Sequence, residues 1–286
     1  MFLIAKFLMI VVAGQGFADR TNAALRQNRA VAAINAYGGF VYYDFEFVGD
    51  KLTPGRQPTT PLWLRNLLGD DFFQDIVEVN LVYGASPDGT RIDVKAATDD
   101  IIPQVLAFPR LKRLYIQKTQ ATDRAVDTVA RLPNLEALML WDAKVTDASV
   151  AKLKTLKKLE NLHIGSAGLG DDSLKHLSSL PRLDTLSLQG NHFTDKGLAH
   201  LKDMTVLKRL YVGNGETEIT DAGLAHLKGL TNLELLDIQK TNVTDEGLKH
   251  LTGLKKLTQL WKGQTQITDE GIDRLRKDLP NLRMVR

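Results

Sequence analysis

The stretch Ile219-Thr220-Asp221-Ala222-Gly223-Leu224-Ala225-His226-Leu227, continued by Leu230, Leu233, Leu236 and Ile238, decides how this chain is read. Thr220 is a good helix N-cap and Asp221 suits the positive end of a helix. Ile219 and Leu224 bracket that cap as a hydrophobic staple. Gly223 discourages a long helix and permits close approach to a sheet. In Leu236-Asp237-Ile238 the apolar residues alternate with a polar one, so the leucine and isoleucine point one way and the aspartate the other. The unit therefore reads as short helix, return, short strand and turn.

The unit recurs. Thr-Asp stands at Thr98-Asp99, Thr122-Asp123, Thr146-Asp147, Thr194-Asp195, Thr220-Asp221, Thr244-Asp245 and Thr268-Asp269, with Gly170-Asp171 filling the one gap. The steps between them are 24, 24, 24, 24, 26, 24 and 24 residues. A pattern Leu-x-x-Leu-x-aliphatic rides on it, as in Leu111/Leu114/Ile116, Leu135/Leu138/Leu140, Leu159/Leu162/Ile164, Leu183/Leu186/Leu188, Leu207/Leu210/Val212 and Leu233/Leu236/Ile238. One unit offers about seven apolar side chains at roughly 2 kcal/mol each, too little to order its own backbone, whereas stacked units share a continuous core.

On these residues, from about Ile76 to Arg286, the chain resembles a leucine-rich repeat protein of the compact bacterial type. The resemblance implies an α/β solenoid, with a parallel sheet on the concave side and short helices on the convex side. It also implies a protein-interaction module rather than an enzyme.

The flanks divide the chain into 1–18, 19–75 and 76–286. The run Phe7–Ala13 is too short to span a bilayer. It fits the core of a secretory signal, with Lys6 before it and a cut expected after Ala18. A membrane-anchor remnant or ordinary structure fits the same run. Residues 19–75 read as an α/β cap: a helix over Asn22–Tyr37 with Leu25, Ala32, Ala33 and Ala36 in its apolar stripe, a strand over Phe40–Val48, a loop over Lys51–Pro61 and a second helix over Leu62–Phe73. The segment Pro61–Phe73 is also similar to an F-box, which would make the chain a ubiquitin-ligase adapter, but the further helices of that motif do not follow it. Two insertions break the repeat, at Tyr83–Ala97 and at Gly213–Glu218, and insertions of this kind map to loops.

Composition narrows the function. A formal charge of +3 gives no basis for nucleic-acid binding, and the absence of cysteine excludes disulfides, thiolate catalysis and Cys-ligated metals. No cofactor is implied. The inward strand positions repeat and the outward ones vary, which is what a surface freed for recognition shows. The expected partner-binding residues are Arg113, Tyr115, Trp141, His163, Gln189, Arg209, Tyr211 and Trp261, since exposed aromatics and arginines dominate interface energetics. The partner is a protein or an extended polymer. The chain is expected to be a monomer that is secreted, periplasmic or anchored through its N-terminus, with the cytoplasm left open.

Two rival readings are a self-associating envelope protein and, from the neighbouring His163 and Ser187, a hydrolase. A column of His176, His200, His226 and His250 brings a metal ladder to mind, but copying of one helix position explains it better.

Overall fold

The computed structural model describes residues 15–49, 51–53, 56–62, 65, 74–82, 99–214 and 218–285. An alanine-rich helix, α1 (Gln15–Ala36), comes first. It ends where Gly38 turns left-handed, with φ 81°, and the Gly39 amide donates back to the Ile34 carbonyl at 2.9 Å. A Cβ on Gly39 would lie 2.6 Å from Leu81 Cδ2, so the chain turns hard against the sheet. The helix buries Ala24, Gln27, Ala30 and Ile34, and packs on the 3-10 turn Ile102–Ala107. The apolar stripe is thus rotated from the expected one. Leu25 is 50% exposed, and Ala32 and Ala36 are exposed as well. Ile34 anchors the helix, and at about 3.6 residues per turn Leu25 lies half a turn out of phase with it.

After β1 (Phe40–Tyr43) the expected long strand breaks into a 3-10 turn, Asp44–Glu46, because Glu46 accepts a hydrogen bond from the Tyr43 amide at 2.8 Å. A small ribbon of β2 (Phe47–Val48) and β3 (Lys51–Leu52) follows. The expected helix at 62–73 and the insertion at 83–97 lie mostly or wholly outside the described residues.

The main sheet has ten strands in the order β1-β4-β5-β6-β7-β8-β9-β10-β11-β12. They are β4 (Ile76–Val82), β5 (Arg113–Gln117), β6 (Ala137–Trp141), β7 (Asn161–His163), β8 (Thr185–Ser187), β9 (Arg209–Tyr211), β10 (Leu235–Asp237), β11 (Gln259–Trp261) and β12 (Arg283–Val285). β1 pairs antiparallel with β4, and every later pair is parallel. Leu114, Leu138, Leu162, Leu186, Leu210, Leu236 and Leu260 stand in register and are all fully buried.

The convex elements are short: α2 (Asp123–Val129), α3 (Asp147–Val150), α4 (Asp171–Leu177), α5 (Asp195–Leu198), α6 (Asp221–Leu227), α7 (Asp245–Leu248) and α8 (Asp269–Asp278). Their staples close as expected, with Phe193 and Leu198, and Ile219 and Leu224, buried. Threonine hydroxyls cap α2, α5, α6, α7 and α8 by accepting from backbone amides.

The aspartate beside each cap does more than meet a helix dipole. Asp221 accepts the Thr244 amide at 2.8 Å through one oxygen and the Thr244 hydroxyl at 2.7 Å through the other. Asp99, Asp123, Asp171, Asp195 and Asp245 hold the next threonine in the same way. These bonds fasten each repeat to its successor. They also explain the glycine that follows: a Cβ on Gly223 or Gly247 would lie 2.3 or 2.4 Å from the preceding aspartate's Oδ1. The close approach is to that carboxylate rather than to the sheet. Where Gly170 replaces threonine, the missing hydroxyl is supplied by Ser173, which donates to Asp147 from the usual glycine position.

The turn after each of β5 to β11 passes through a left-handed residue: Lys118, Asp142, Ser166, Gly190, Asn214, Lys240 and Gln264. Asn191 fills one such turn, accepting from the Ala167 and Leu169 amides and donating to the Ile164 and Leu188 carbonyls. The architecture is a leucine-rich repeat solenoid of the α/β class, as the repeat implied.

Candidate functional site

The concave wall is built by the outward residues of β4 to β11. Adjacent strands lie about 4.8 Å apart, so side chains in one register row touch. The eight residues expected to bind a partner all occupy outward strand positions or the turn just after β8, and all are half-buried. They fall into two groups rather than one continuous stripe.

At the N-terminal end, the cap contributes to the wall. The Arg113 guanidinium lies 4.7 Å from the centroid of the Phe47 ring, a cation–π contact. Arg113 faces Glu78 across the β4–β5 register, and Tyr42 flanks Glu78 on the other side. Burial pushes the Glu78 carboxyl above its ordinary range; Arg113 opposes that shift and Glu46 adds to it. Tyr115 is raised chiefly by burial. Arg113 and Tyr115 therefore belong to a cap-covered cluster, separate from Arg209. Phe47 and Glu78 were missed because nothing in the repeat pattern signals what the cap lays over its first strands. Trp141, on β6, lies flat over the next repeat: a Cβ on Gly165 would come within 2.6 Å of its ring.

Toward the C-terminal end, Tyr211 and Trp261 meet edge to face, their centroids 6.1 Å apart. Asp237 sits between them in the register row and is fully buried. It accepts the Gln239 amide at 2.9 Å and a short hydrogen bond from the Gln189 side chain, which reaches it from two strands away. Gly213 makes that reach possible, since a Cβ there would stand 2.9 Å from Asp237 Oδ1 and 2.5 Å from the Gln239 backbone. Asn214 donates to Gln239 Oε1 at 3.0 Å and completes the network. Burial pushes the Asp237 carboxyl above its ordinary range, against the two hydrogen bonds that lower it. The signal for this network was the break at Gly213-Asn214, which interrupts the repeat; residues 215–217 lie outside the described set.

Between the groups, His163, Ser187 and Tyr211 share one register row. Burial, and then the charge of Arg209, lowers the His163 pKa, so the ring is neutral near neutral pH. The Arg209 Nε donates to Thr185 Oγ1 at 2.9 Å. No hydrogen bond joins His163 to Ser187, and none ties either to a carboxylate among the described residues. The hydrolase arrangement thus lacks its base–nucleophile contact and its orienting acid.

Among the described residues, no group of three or more His, Asp or Glu could hold a metal, the histidine column included. Among the same residues, no helix is long and apolar enough to cross a membrane.

No protein-family model and no curated protein matches the chain. Solved structures do align with it. An internalin from Listeria monocytogenes aligns at 22% identity and a TM-score of 0.49, covering 64% of this chain and 56% of its own. An internalin C2 from the same organism aligns at 28% identity and a TM-score of 0.44, covering 69% of this chain and 77% of its own. The leucine-rich repeat ectodomain of an Arabidopsis thaliana membrane receptor kinase, solved in complex with Casparian strip integrity factor 2, aligns at 17% identity and a TM-score of 0.47, covering 74% of this chain and 27% of its own.

Proposed function

We propose that this leucine-rich repeat solenoid is a non-enzymatic recognition module that holds a protein partner across its concave wall. One observation carries the reading. The buried positions of each strand are near copies, whereas the outward ones between β5 and β11 set Tyr115, Trp141, Tyr211 and Trp261 beside Arg113, Arg209, His163 and Gln189, all partly accessible. Aromatic and arginine side chains that are already packed lose little freedom on association, so such a wall gives up little entropy when it binds. In this reading residues 1–18 are a leader or anchor, 19–75 the cap and 76–286 the binding array, in a monomer exported to the cell envelope or beyond. α1 runs through Ala18, and among its described side chains, from Asp19 on, the first buried one is Ala24.

Affinity capture followed by cross-linking tests the reading. Trp141→Ala and Tyr211→Ala are expected to lose the captured partner, while Lys228→Ala on the convex side keeps it. Equal capture by all three, or loss only in the convex variant, would move the binding surface elsewhere.

A further inference from the structure

One hydrogen bond on the wall joins a buried carboxylate to a half-exposed amide. Asp237 is fully buried, and its two carboxylate oxygens have different partners. Oδ1 accepts the Gln239 backbone amide at 2.9 Å, and Oδ2 accepts Gln189 Nε2. The other end of that side-chain amide, Gln189 Oε1, has no partner among the described residues and is open to solvent. With Asp237 ionised, the wall therefore shows a hydrogen-bond acceptor at Gln189.

A proton taken up by Asp237 goes to Oδ2, because Oδ1 faces a backbone N–H that cannot turn round. The new O–H then meets the Gln189 N–H, donor against donor. Among the described residues no other acceptor is bonded to the Asp237 side chain, and a buried hydroxyl needs one. Turning the Gln189 amide over brings Oε1 to the O–H at little cost, since that terminal torsion is broad and two-fold. The hydrogen bond survives with its direction reversed, and Nε2 now faces solvent. The neighbours leave this proton to Asp237. Tyr211 on β9 faces it, is itself raised by burial, and stays neutral in acid, while Arg209 stays charged. On β11 Trp261 does not titrate, and the Lys262 Nζ donates elsewhere, to the Ile267 carbonyl at 3.0 Å. Lys240, in the turn after β10, is exposed. His163 titrates too, but stands three strands away in the row.

Resting on the recognition reading above, we propose that Asp237 and Gln189 form a proton-operated switch of the wall's hydrogen-bonding pattern: Gln189 offers a partner its carbonyl oxygen while Asp237 is ionised and its N–H while Asp237 is protonated. A partner that sets a carbonyl or carboxylate oxygen on Gln189 is then held in acid and released toward neutral pH, and by linkage its binding favours the protonated aspartate. Burial pushes the Asp237 carboxyl above its ordinary range and so moves the transition toward milder acid.

The test is an NMR pH titration of the full chain without ligand, following the Asp237 carboxyl carbon, the Gln189 side-chain amide and the His163 ring. The Gln189 signals should change with the Asp237 midpoint and not with that of His163. Asp237→Asn, whose amide N–H donates to Gln189 Oε1, should show at neutral pH the Gln189 signals of the acid form and no further transition, with the Tyr211 and Trp261 ring-current shifts reporting that the fold is kept. Gln189→Leu, at a half-exposed position, removes a hydrogen bond from the ionised form and should raise the Asp237 midpoint. The switch is overturned by a Gln189 amide that stays unchanged while Asp237 titrates, by an Asp237 that stays ionised until acid unfolding, by neutral-form Gln189 signals in Asp237→Asn, or by an unmoved midpoint in Gln189→Leu. The titration needs no partner, and partner capture by Trp141→Ala needs no proton, so the switch and the wall can fail separately.

Discussion

Asp221 and Asp237 sit at opposite ends of one helix-to-strand unit, the first on the convex edge and the second on the concave wall. Asp221 repeats what its counterparts do, clasping the next threonine at 2.8 and 2.7 Å. Asp237 has no counterpart: at the same strand position the other repeats carry Tyr115, Met139, His163, Ser187, Tyr211 and Trp261. It is buried between the strands that carry Tyr211 and Trp261, and its carboxylate is held by an amide from two strands away. The convex edge spends its polar groups on joining repeats. The concave wall spends its own on one local arrangement that the solenoid does not need in order to stack. A residue type alone therefore says little; what it faces decides its role.

The largest test of this contrast is on the convex edge. Gly247→Ala should cost about 2–4 kcal/mol, because its Cβ would displace the Asp221 carboxylate and release Thr244. Gly253→Ala, with nothing within 4 Å of the added carbon, should change stability by only a few tenths of a kcal/mol in chemical denaturation. Equal losses would mean that the clasp has no special weight.

The repaired clasp is the next test. Ser173→Gly should cost about 1 kcal/mol by removing the substitute hydroxyl, and Gly170→Thr in the same chain should restore it. Additive effects in the double-mutant cycle would break the argument.

The clasp residue Asp245 and the wall residue Asp237 should also respond to pH in opposite senses. Asp245, like Asp123, is held below the ordinary carboxylate range by its hydrogen bonds to the next threonine, which outweigh the opposing effect of burial. Its stabilisation is present above the unfolded value near 3.9 and is lost as pH falls through the folded value. Asp237 is raised, so its contribution is greatest at low pH and is lost as pH rises through the folded value. Denaturation curves from about pH 3 to pH 7 should show a shallower acid loss in Asp245→Asn. In Asp237→Asn stability should fall less, or rise more, toward neutral pH. Identical pH profiles for the two variants would remove the distinction.

The smallest effect concerns the left-handed turns. Gln264, exposed with φ 59°, should gain about 0.5 kcal/mol in Gln264→Gly, because glycine adopts that conformation without the Cβ penalty. A loss of about 1 kcal/mol, as in a helix interior, would show that the turn is relaxed.

Much of this was legible in the residues. The period, the strand with its inward leucine, the staples and the threonine caps follow from apolar alternation and from short-range hydrogen bonding, which neighbours in sequence settle among themselves. The outward columns were legible as positions but not as contacts. That Trp141 lies on Gly165, that Arg113 meets Phe47 and that Gln189 crosses Gly213 to Asp237 all depend on residues one or more repeats apart. The stripe of α1 was misplaced for a related reason. Its alanines fit either face, and only the end of the core selects Ile34 over Leu25.

Period and residue type alone thus settled that this is a stacked solenoid with a parallel sheet, because every unit must bury the same leucines against its neighbours. It took the folded structure to decide that the repeat aspartates are clasps and that the wall carries two clusters instead of one stripe. Such pairings join atoms far apart along the chain, and a repeat that specifies stacking leaves the side chains facing away from the stack unspecified.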